Sequence, residues 1–244
     1  MPRATRPKRN NRSLTNLGGA PECRAVGAAS TIGMGGVPVI ASCTIMNVPA
    51  GPLIVLTGPP GAGKTTVARL VAEALDPAVH LPADEYWRFI RTGYIAPWRP
   101  ESQAQNATVI DALSSGAVIY AAGGYHVVLD GIIGPWFLDR LLARARTSHV
   151  DVHYVILRPA QTIAAQRILR RPEDELSGRH QAIAAERPDD PGAAARMYQE
   201  FTGLGAYEKH VIDSSAVSAE ETAEVVRQLV ATGQLRVRHR QQSP

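Results

Sequence analysis

Short apolar runs alternate with amphipathic segments along most of the chain after residue 52. The apolar runs have the length and composition of buried strands. They are LIVLT, AVHLPAD, HVVLDG, DVHYVILR and KHVID. The segments between them repeat apolar residues every three to four positions, which is the period of a helix buried on one face. This alternation predicts an α/β fold in which helices cover both faces of a parallel sheet.

Three helices can be placed from their sequence patterns. The first follows LIVLT and a glycine-rich stretch, with Val67 and Val71 among the residues of its apolar face. A long helix is predicted over residues 102–122 because apolar residues keep the helical period until two glycines end it. The last helix begins with SAEE, in which Ser218 and Glu221 form a capping-box pattern.

The two ends of the chain differ from this central part. Residues 1–45 are rich in Arg, Asn, Gly and Ala and show neither the helical nor the strand period of apolar residues. This composition predicts a flexible basic extension. Residues 46–234 are predicted to form one domain, and residues 235–244 a basic polar tail. The net charge is +4, but residues 1–30 hold six basic side chains and one acidic, so the remainder is nearly neutral. A solvated tail or a basic arm for nucleic acid would both fit the extension.

The two cysteines indicate a reducing compartment. Cys23 and Cys43 both precede the first strand, so a disulfide framework cannot support the main domain. No run reaches the roughly 18 apolar residues of a membrane helix. The segment IASC loosely resembles a bacterial lipidation site, but it follows a glycine-rich run rather than a continuous apolar one. We therefore expect a cytoplasmic protein with no membrane partner.

The stretch GPPGAGKTT, residues 58–66, matches the pattern G-x-x-x-x-G-K-[ST] and stands between a strand and a helix. In such a loop, backbone N–H groups and the N-terminus of the following helix hold phosphate. Pro59 and Pro60 have no N–H, so they are expected at the early positions that do not bind phosphate. The predicted nucleotide-binding residues are Gly58, Gly61, Ala62, Gly63, Lys64, Thr65 and Thr66.

Four polar side chains are candidates for the chemistry. Lys64 is expected to reach the β- and γ-phosphates, and the Thr65 hydroxyl to bind Mg²⁺. Asp84 follows the second strand and Asp130 ends the third, at the sheet edge where doubly wound folds bind ligands. A carboxylate at the end of a buried strand is costly unless it meets a cation, a donor or a proton to accept. The alternatives without a role in the chemistry are that Asp84 caps a helix and that Asp130 is a solvated turn residue.

These motifs resemble those of the small P-loop kinases and phosphotransferases. The group includes shikimate kinase, gluconate kinase, chloramphenicol phosphotransferase, the zeta toxins and the kinase domain of polynucleotide kinase. The resemblance covers about residues 53–230 and rests on GPPGAGKTT, ADEYWRF, VVLDG and LRPAQTIAAQRILRR. It implies an AAA-like ATP-binding domain that uses ATP and Mg²⁺. The implied fold is a P-loop NTPase three-layer sandwich with a five-stranded parallel sheet and an arginine-bearing lid.

The resemblance also implies roles for particular residues. In these families the aspartate that matches Asp84 orients the acceptor hydroxyl and can take its proton. We expect Asp130 to join Thr65 in the metal site by supporting the Mg²⁺ water shell, or else to support the acceptor. Arginines after the fourth strand close over the phosphates. Here they are Arg167 with Arg170 or Arg171. Arg167 and Arg171 are the predicted catalytic pair, since residues four apart share a helix face; ordinary solvated charge is the alternative.

The acceptor site is expected between the helix after the second strand and the long helix. This segment is rich in aromatic and basic residues: Tyr86, Trp87, Arg88, Arg91, Tyr94, Trp98 and Arg99, with Trp136 shortly after Asp130. Aromatic rings favour a stacking or apolar wall, and arginines favour an anionic or hydroxyl-rich ligand. Core packing is equally compatible with Trp87 and Trp98.

The leading hypothesis is a small-molecule kinase: a phosphotransferase, monomeric or homodimeric, that transfers the γ-phosphate of ATP to a hydroxyl of a small molecule. One alternative is a polynucleotide 5′-hydroxyl kinase that uses the basic extension, although the nearly neutral remainder of the chain argues against a nucleic-acid partner. Another is a non-catalytic nucleotide-binding module whose lid signals to a partner.

Overall fold

The computed structural model describes residues 48–170 and 192–237, and the statements below refer to these residues. The predicted extension over residues 1–45 lies outside them, as does most of the predicted lid. The proposed domain limits at residues 45 and 234 stay predictions. Within the described part of the chain, every helix is too short or too polar to cross a lipid bilayer.

Strands and helices alternate in the predicted order. The strands are β1 (Leu53–Thr57), β2 (Ala78–Pro82), β3 (His126–Asp130), β4 (Val152–Leu157), β5 (Val211–Ile212) and β6 (Arg236–Val237). The helices are α1 (Lys64–Glu73), α2 (Ala83–Arg88), α3 (Gln103–Ala122), α4 (Pro135–Thr147), α5 (Gln161–Leu169), α6 (Ala193–Gln199) and α7 (Ala219–Ala231). Two 3₁₀ helices span Pro100–Ser102 and Gly205–His210. The α/β class is therefore confirmed.

Five strands form a parallel sheet in the order β2-β3-β1-β4-β5, which confirms the predicted sheet of a P-loop NTPase. A sixth strand, β6, runs antiparallel to β4 beside Val152 and His153, whereas β5 pairs with Ile156 and Leu157. The two short strands thus share one edge of β4. The sequence pattern had assigned the β6 residues to a polar tail.

Both faces of the sheet are buried under helices, which gives three layers. Side chains of β1 point alternately to the two faces, and all of them are fully buried. One core cluster includes Leu53, Val55, Leu113, Leu129 and Leu141. The other includes Ile54, Leu56, Val67, Val71 and Val226. Burial on both faces explains why β1 is a continuous apolar run rather than an alternating one.

The register of the sheet brings the carboxyl-terminal ends of β1, β2 and β3 together. Asp130 of β3 lies opposite Leu56 of β1 and also opposite Pro82 of β2. The loop after β1 and the start of α2 therefore meet at one edge. The chain crosses from β1 to β2 on one side and from β3 to β4 on the other, and doubly wound sheets form their ligand sites at such a point.

Candidate active site

The loop over residues 58–63 is pressed against the neighbouring elements. Gly61 has φ of 78°, and a Cβ built there would lie 2.2 Å from the carbonyl oxygen of Ala164 in α5. Only glycine fits both the left-handed backbone and this close approach. Lys64 begins α1, and no side chain of the described residues caps this helix. Its first amides and the positive end of its dipole are therefore available to bind an anion.

The two prolines of the loop do not interfere with this arrangement. Both precede the amides of α1. The carbonyl oxygen of Pro59 accepts hydrogen bonds from the Ala62 amide at 3.2 Å and from Lys64 Nζ at 3.0 Å. A proline lacks the donor but keeps the acceptor. Pro59 thus closes the turn and holds the lysine next to the loop.

Asp130 connects the loop to the centre of the sheet. Its side chain is almost completely buried, with the residue only 3% exposed. Thr65 Oγ1 donates to Asp130 Oδ2 at 2.7 Å, and His80 Nε2 hydrogen-bonds Asp130 Oδ1 at 2.6 Å. A buried carboxylate needs such partners, and its burial rules out the solvated-turn alternative. The carboxylate of Asp130 and the hydroxyl of Thr65 are the kind of oxygen ligands that Mg²⁺ prefers.

His80 is a site residue that the sequence pattern did not identify. It lies two positions before Pro82 on β2, so both side chains occupy one face of the strand. Pro82 is opposite Asp130 in the sheet, and this brings the imidazole within reach of the carboxylate. The only signal in the sequence was a histidine within a short predicted strand, and its partner is 50 residues away.

Asp84 occupies the first turn of α2, where its exposed side chain lines a cavity beside the loop. The N-cap of α2 is Pro82, and no described side chain caps this helix. The structure thus places Asp84 within the helix rather than at its cap, so the capping alternative does not hold.

Arg167 of α5 lies beside the phosphate loop. Its Nη2 donates to the carbonyl oxygen of Ser214 at 2.8 Å, and its Nη1 is 4.0 Å from the Cβ position of Gly63. Residues 164 and 167 share a face of α5, so the contact of Ala164 with Gly61 also positions this arginine. Arg170 follows α5 and is exposed. Arg171, the other predicted catalytic arginine, lies outside the described residues.

The loop opens into a cavity of about 610 Å³ that has an aromatic part to its wall. Its aromatic lining residues are Trp87, Tyr94, Trp98, Trp136 and Phe137, which include all three tryptophans of the chain. Trp87 is buried in the core and also lines the cavity, so pocket and core were not exclusive alternatives. Trp98 and Trp136 remain 38% and 46% exposed, so a ligand could still bury much of each ring.

Hydrogen bonds hold one side of this wall in place. Trp87 Nε1 donates to Asn106 Oδ1 at 3.0 Å. Asn106 Nδ2 donates to the carbonyl oxygen of Pro97 at 2.7 Å and to Ser102 Oγ at 2.9 Å. The amide of Asn106 thus links two tryptophan-bearing segments, since Trp98 follows Pro97 directly. Sequence reasoning did not identify Asn106.

The opposite side of the wall lies on the segment after β3. The Ile133 amide donates to Thr57 Oγ1 at 3.0 Å, and the buried Tyr154 hydroxyl donates to the Ile133 carbonyl oxygen at 2.8 Å. Burial raises the pKa of Tyr154, so its hydroxyl stays a donor at neutral pH. The Trp136 indole covers Gly134, where a Cβ would lie 2.2 Å from the ring. Asp130 and Trp136 therefore flank a segment fixed at Ile133.

A known protein family matches the part of the chain that contains this site. The AAA domain family matches residues 53–190, which is more than half of the chain. This match covers the phosphate loop, Asp84, Asp130 and Arg167, and extends into the segment that the structure does not describe.

Individual relatives are more distant. The ESX-1 secretion system protein EccA1 of Mycobacterium leprae is 35% identical over 96 residues, or 37% of this chain, but the match spans only 17% of the length of EccA1. The cytidylate kinase of Staphylothermus marinus is 24% identical over 183 residues, covering 73% of this chain and 96% of that enzyme. The structure of a sugar kinase from Janibacter sp. HTCC2649 covers 74% of this chain and 93% of its own, with a TM-score of 0.51 and 15% identity. The resemblance to small P-loop kinases is confirmed at the level of the fold.

Proposed function

Because the chain belongs to the AAA domain family, we propose that it is an ATP- and Mg²⁺-dependent kinase that phosphorylates a hydroxyl of a small molecule. One observation carries this proposal. The hydrogen-bonded pair of Thr65 and Asp130 lines the same cavity as Asp84 and the aromatic wall. A phosphate-binding end and an acceptor-sized space are thus continuous.

The loop and α1 supply the nucleotide end of the site. The close approach at Gly61 leaves no room for a side chain, and the N-terminus of α1 has no side-chain cap. Both features suit a phosphate chain held by backbone amides. Lys64, which is held by the Pro59 carbonyl oxygen, would exchange that acceptor for the β- and γ-phosphate oxygens of ATP.

Thr65 and Asp130 would hold the metal. Their oxygens are already 2.7 Å apart at the mouth of the loop, and the second Asp130 oxygen is oriented by His80. A bound Mg²⁺ supplies positive charge that neutralises the phosphate oxygens. The chain's own contribution is to fix the two ligand side chains in a single orientation before the ion arrives.

Asp84 is the proposed acceptor-orienting base. Asp84 lines the cavity, and its carboxylate would accept the hydroxyl proton as the hydroxyl oxygen attacks the γ-phosphorus. The bond from that phosphorus to the β-γ bridging oxygen breaks, and ADP leaves. Arg167, and by analogy Arg171, would stabilise the charge on the transferring group.

The test is a coupled assay for ADP release with a broad set of alcohols, applied to the full chain and to Asp84→Asn. We expect the variant to lower kcat by at least about 100-fold, as loss of a general base does, while the Kd for ATP changes less than about twofold. Asp139→Asn on the exposed face of α4 is the matched control. Phosphoryl transfer at the full rate by Asp84→Asn would show that Asp84 is not the base. ATP binding without phosphorylation of any of the alcohols would refute the kinase proposal.

A further inference from the structure

The charges around the cavity are few and unevenly placed. Among the described residues that line it, four carry charge: Lys64, Asp84, Arg88 and Asp130. Lys64 and Asp130 belong to the nucleotide end of the site. The acceptor end therefore has one acid, Asp84, and one base, Arg88.

The positive charge of Arg88 is already compensated. Its side chain is only 19% exposed, and its Nη1 forms a salt bridge with Glu85 Oε1 one helical turn earlier on α2. Since Asp84 adds a further negative charge, the described residues of the acceptor end carry no net positive charge. Arg91 and Arg99, which the sequence suggested for an anionic ligand, are exposed and are not among the lining residues.

An anionic acceptor would meet an unfavourable environment here. A carboxylate or phosphate would have to compete with Glu85 for Arg88 and would lie near Asp84. Like charges in a partly desolvated site disfavour such a ligand. An uncharged alcohol meets neither penalty, and its hydroxyl is the group that Asp84 can bind.

The remaining wall favours a flat ring. Trp98 and Trp136 present partly exposed indoles, and Tyr94 and Phe137 add further aromatic surface. Aromatic faces bind other rings by offset stacking and edge contacts. We infer that the acceptor is an uncharged alcohol carried on a planar aromatic body, and not a carboxylate- or phosphate-bearing metabolite. This inference rests on the proposed function, since it concerns the same site.

Matched pairs of probes test the inference by binding alone. One pair is 1,4-benzenedimethanol and 4-(hydroxymethyl)benzoate, and the other is cytidine and cytidine 5′-monophosphate. Because all three tryptophans line the cavity, quenching of their fluorescence reports binding to the full chain with Mg²⁺ and a non-hydrolysable ATP analogue. We expect the neutral member of each pair to bind at least about 10-fold more tightly. Equal or tighter binding of the anion, or no binding by either neutral probe, would overturn the inference.

A charge substitution tests the cause. Glu85→Gln removes the salt bridge between Glu85 and Arg88 and should lower the preference for the neutral probe at least about threefold. Glu224→Gln on α7 is the control, because Glu224 pairs with Arg227 at the same spacing and its side chain is equally exposed. Thermal melts confirm that both variants fold. An unchanged preference in Glu85→Gln would contradict the role of the compensated arginine.

Failure of the inference and failure of the kinase proposal can be distinguished. If anionic alcohols are phosphorylated and neutral aromatic alcohols are not, the inference fails and the kinase proposal stands. If neither class is phosphorylated although ATP binds, the kinase proposal fails, and the probe affinities alone decide the charge preference of the cavity.

Discussion

Among the individual side chains, Asp130 shows how one buried group organises two parts of the site. One of its oxygens holds Thr65 at the start of α1, and the other holds His80 on β2. The bond to His80 limits the rotation of a carboxylate that the proposed mechanism uses for Mg²⁺. We therefore propose that His80 is a positioning residue, which would act on a bound Mg²⁺ through Asp130.

We predict that His80→Phe raises the Mg²⁺ concentration for half-maximal activity about 10-fold, while the Kd for metal-free ATP changes little. His80→Gln keeps an N–H donor and should recover part of the loss. A titration of activity with Mg²⁺ measures both effects. His126→Gln, at the opposite end of the sheet in β3, is the control. Unchanged Mg²⁺ dependence in His80→Phe would refute the positioning role.

Among the secondary structure elements, α5 docks onto the phosphate loop and carries Arg167, the arginine that we propose stabilises the transferring phosphate. The Ala164 carbonyl oxygen contacts the loop at Gly61, and Arg167 lies one turn further along the same helix. Any residue larger than glycine at position 61 would move α5 and Arg167 together. The loop and the helix are therefore coupled through the close approach at Gly61.

We predict that Gly61→Ala lowers both the melting temperature and the affinity for ATP, the latter by at least about 10-fold, because the new Cβ would meet a carbonyl oxygen at 2.2 Å. Gly203→Ala is the matched control. Gly203 also has a positive φ, of 64°, but a Cβ there would find no atom within 4 Å. This control measures the effect of the strained backbone alone, without a steric clash. Equal effects of both substitutions on ATP binding would therefore contradict the proposal that the contact between Gly61 and α5 supports ATP binding.

The same elements show why some structure was predictable and some was not. LIVLT was identified as a strand because burial of both faces requires a continuous apolar run. The capping box of α7 could be predicted because both of its hydrogen bonds are local. The Glu221 amide donates to Ser218 Oγ at 3.1 Å, and the Ser218 amide donates to Glu221 Oε2 at 2.8 Å. β6 has only two residues, one of them an exposed arginine, and forms by pairing with a strand some 80 positions earlier. No local period could reveal it.

Across the whole molecule, an ion pair ties the carboxyl end of β4 to the segment after α6. Arg158 binds both carboxylate oxygens of Glu208, at 3.0 and 2.8 Å, and also the Phe201 carbonyl oxygen. The hydrogen bonds from Arg158, and then from the Leu204 amide, lower the pKa of Glu208 from 4.5 to about 2. The ionised form of Glu208 thus favours the folded state.

The sign of this shift gives a pH-dependent prediction. A lowered pKa in the folded state stabilises the protein fully above the unfolded value near 4.5, and this contribution is lost as the pH falls toward 2. Glu208→Gln should therefore lower the melting temperature at pH 7, and the difference from the unmodified chain should shrink between pH 4.5 and 3. Glu73→Gln, which breaks an exposed pair with Arg69, should have a smaller effect at pH 7. A difference in melting temperature between the two proteins that stays constant over this pH range would contradict the lowered pKa of Glu208.

The sequence by itself determined the features that depend on neighbouring positions. These are the alternation of strands and helices, the phosphate loop with its lysine and threonine, and the acids at the strand ends, because periodicity, turns and backbone donors are local properties. Tertiary structure alone decided which side chains meet. The register of β2 with β3 brought His80 to Asp130, and the packing of α2 placed Arg88, which is paired with Glu85, in the lining of a cavity that also has aromatic walls. Such contacts join positions far apart in the chain, or depend on which helix face is buried, and no local pattern encodes them.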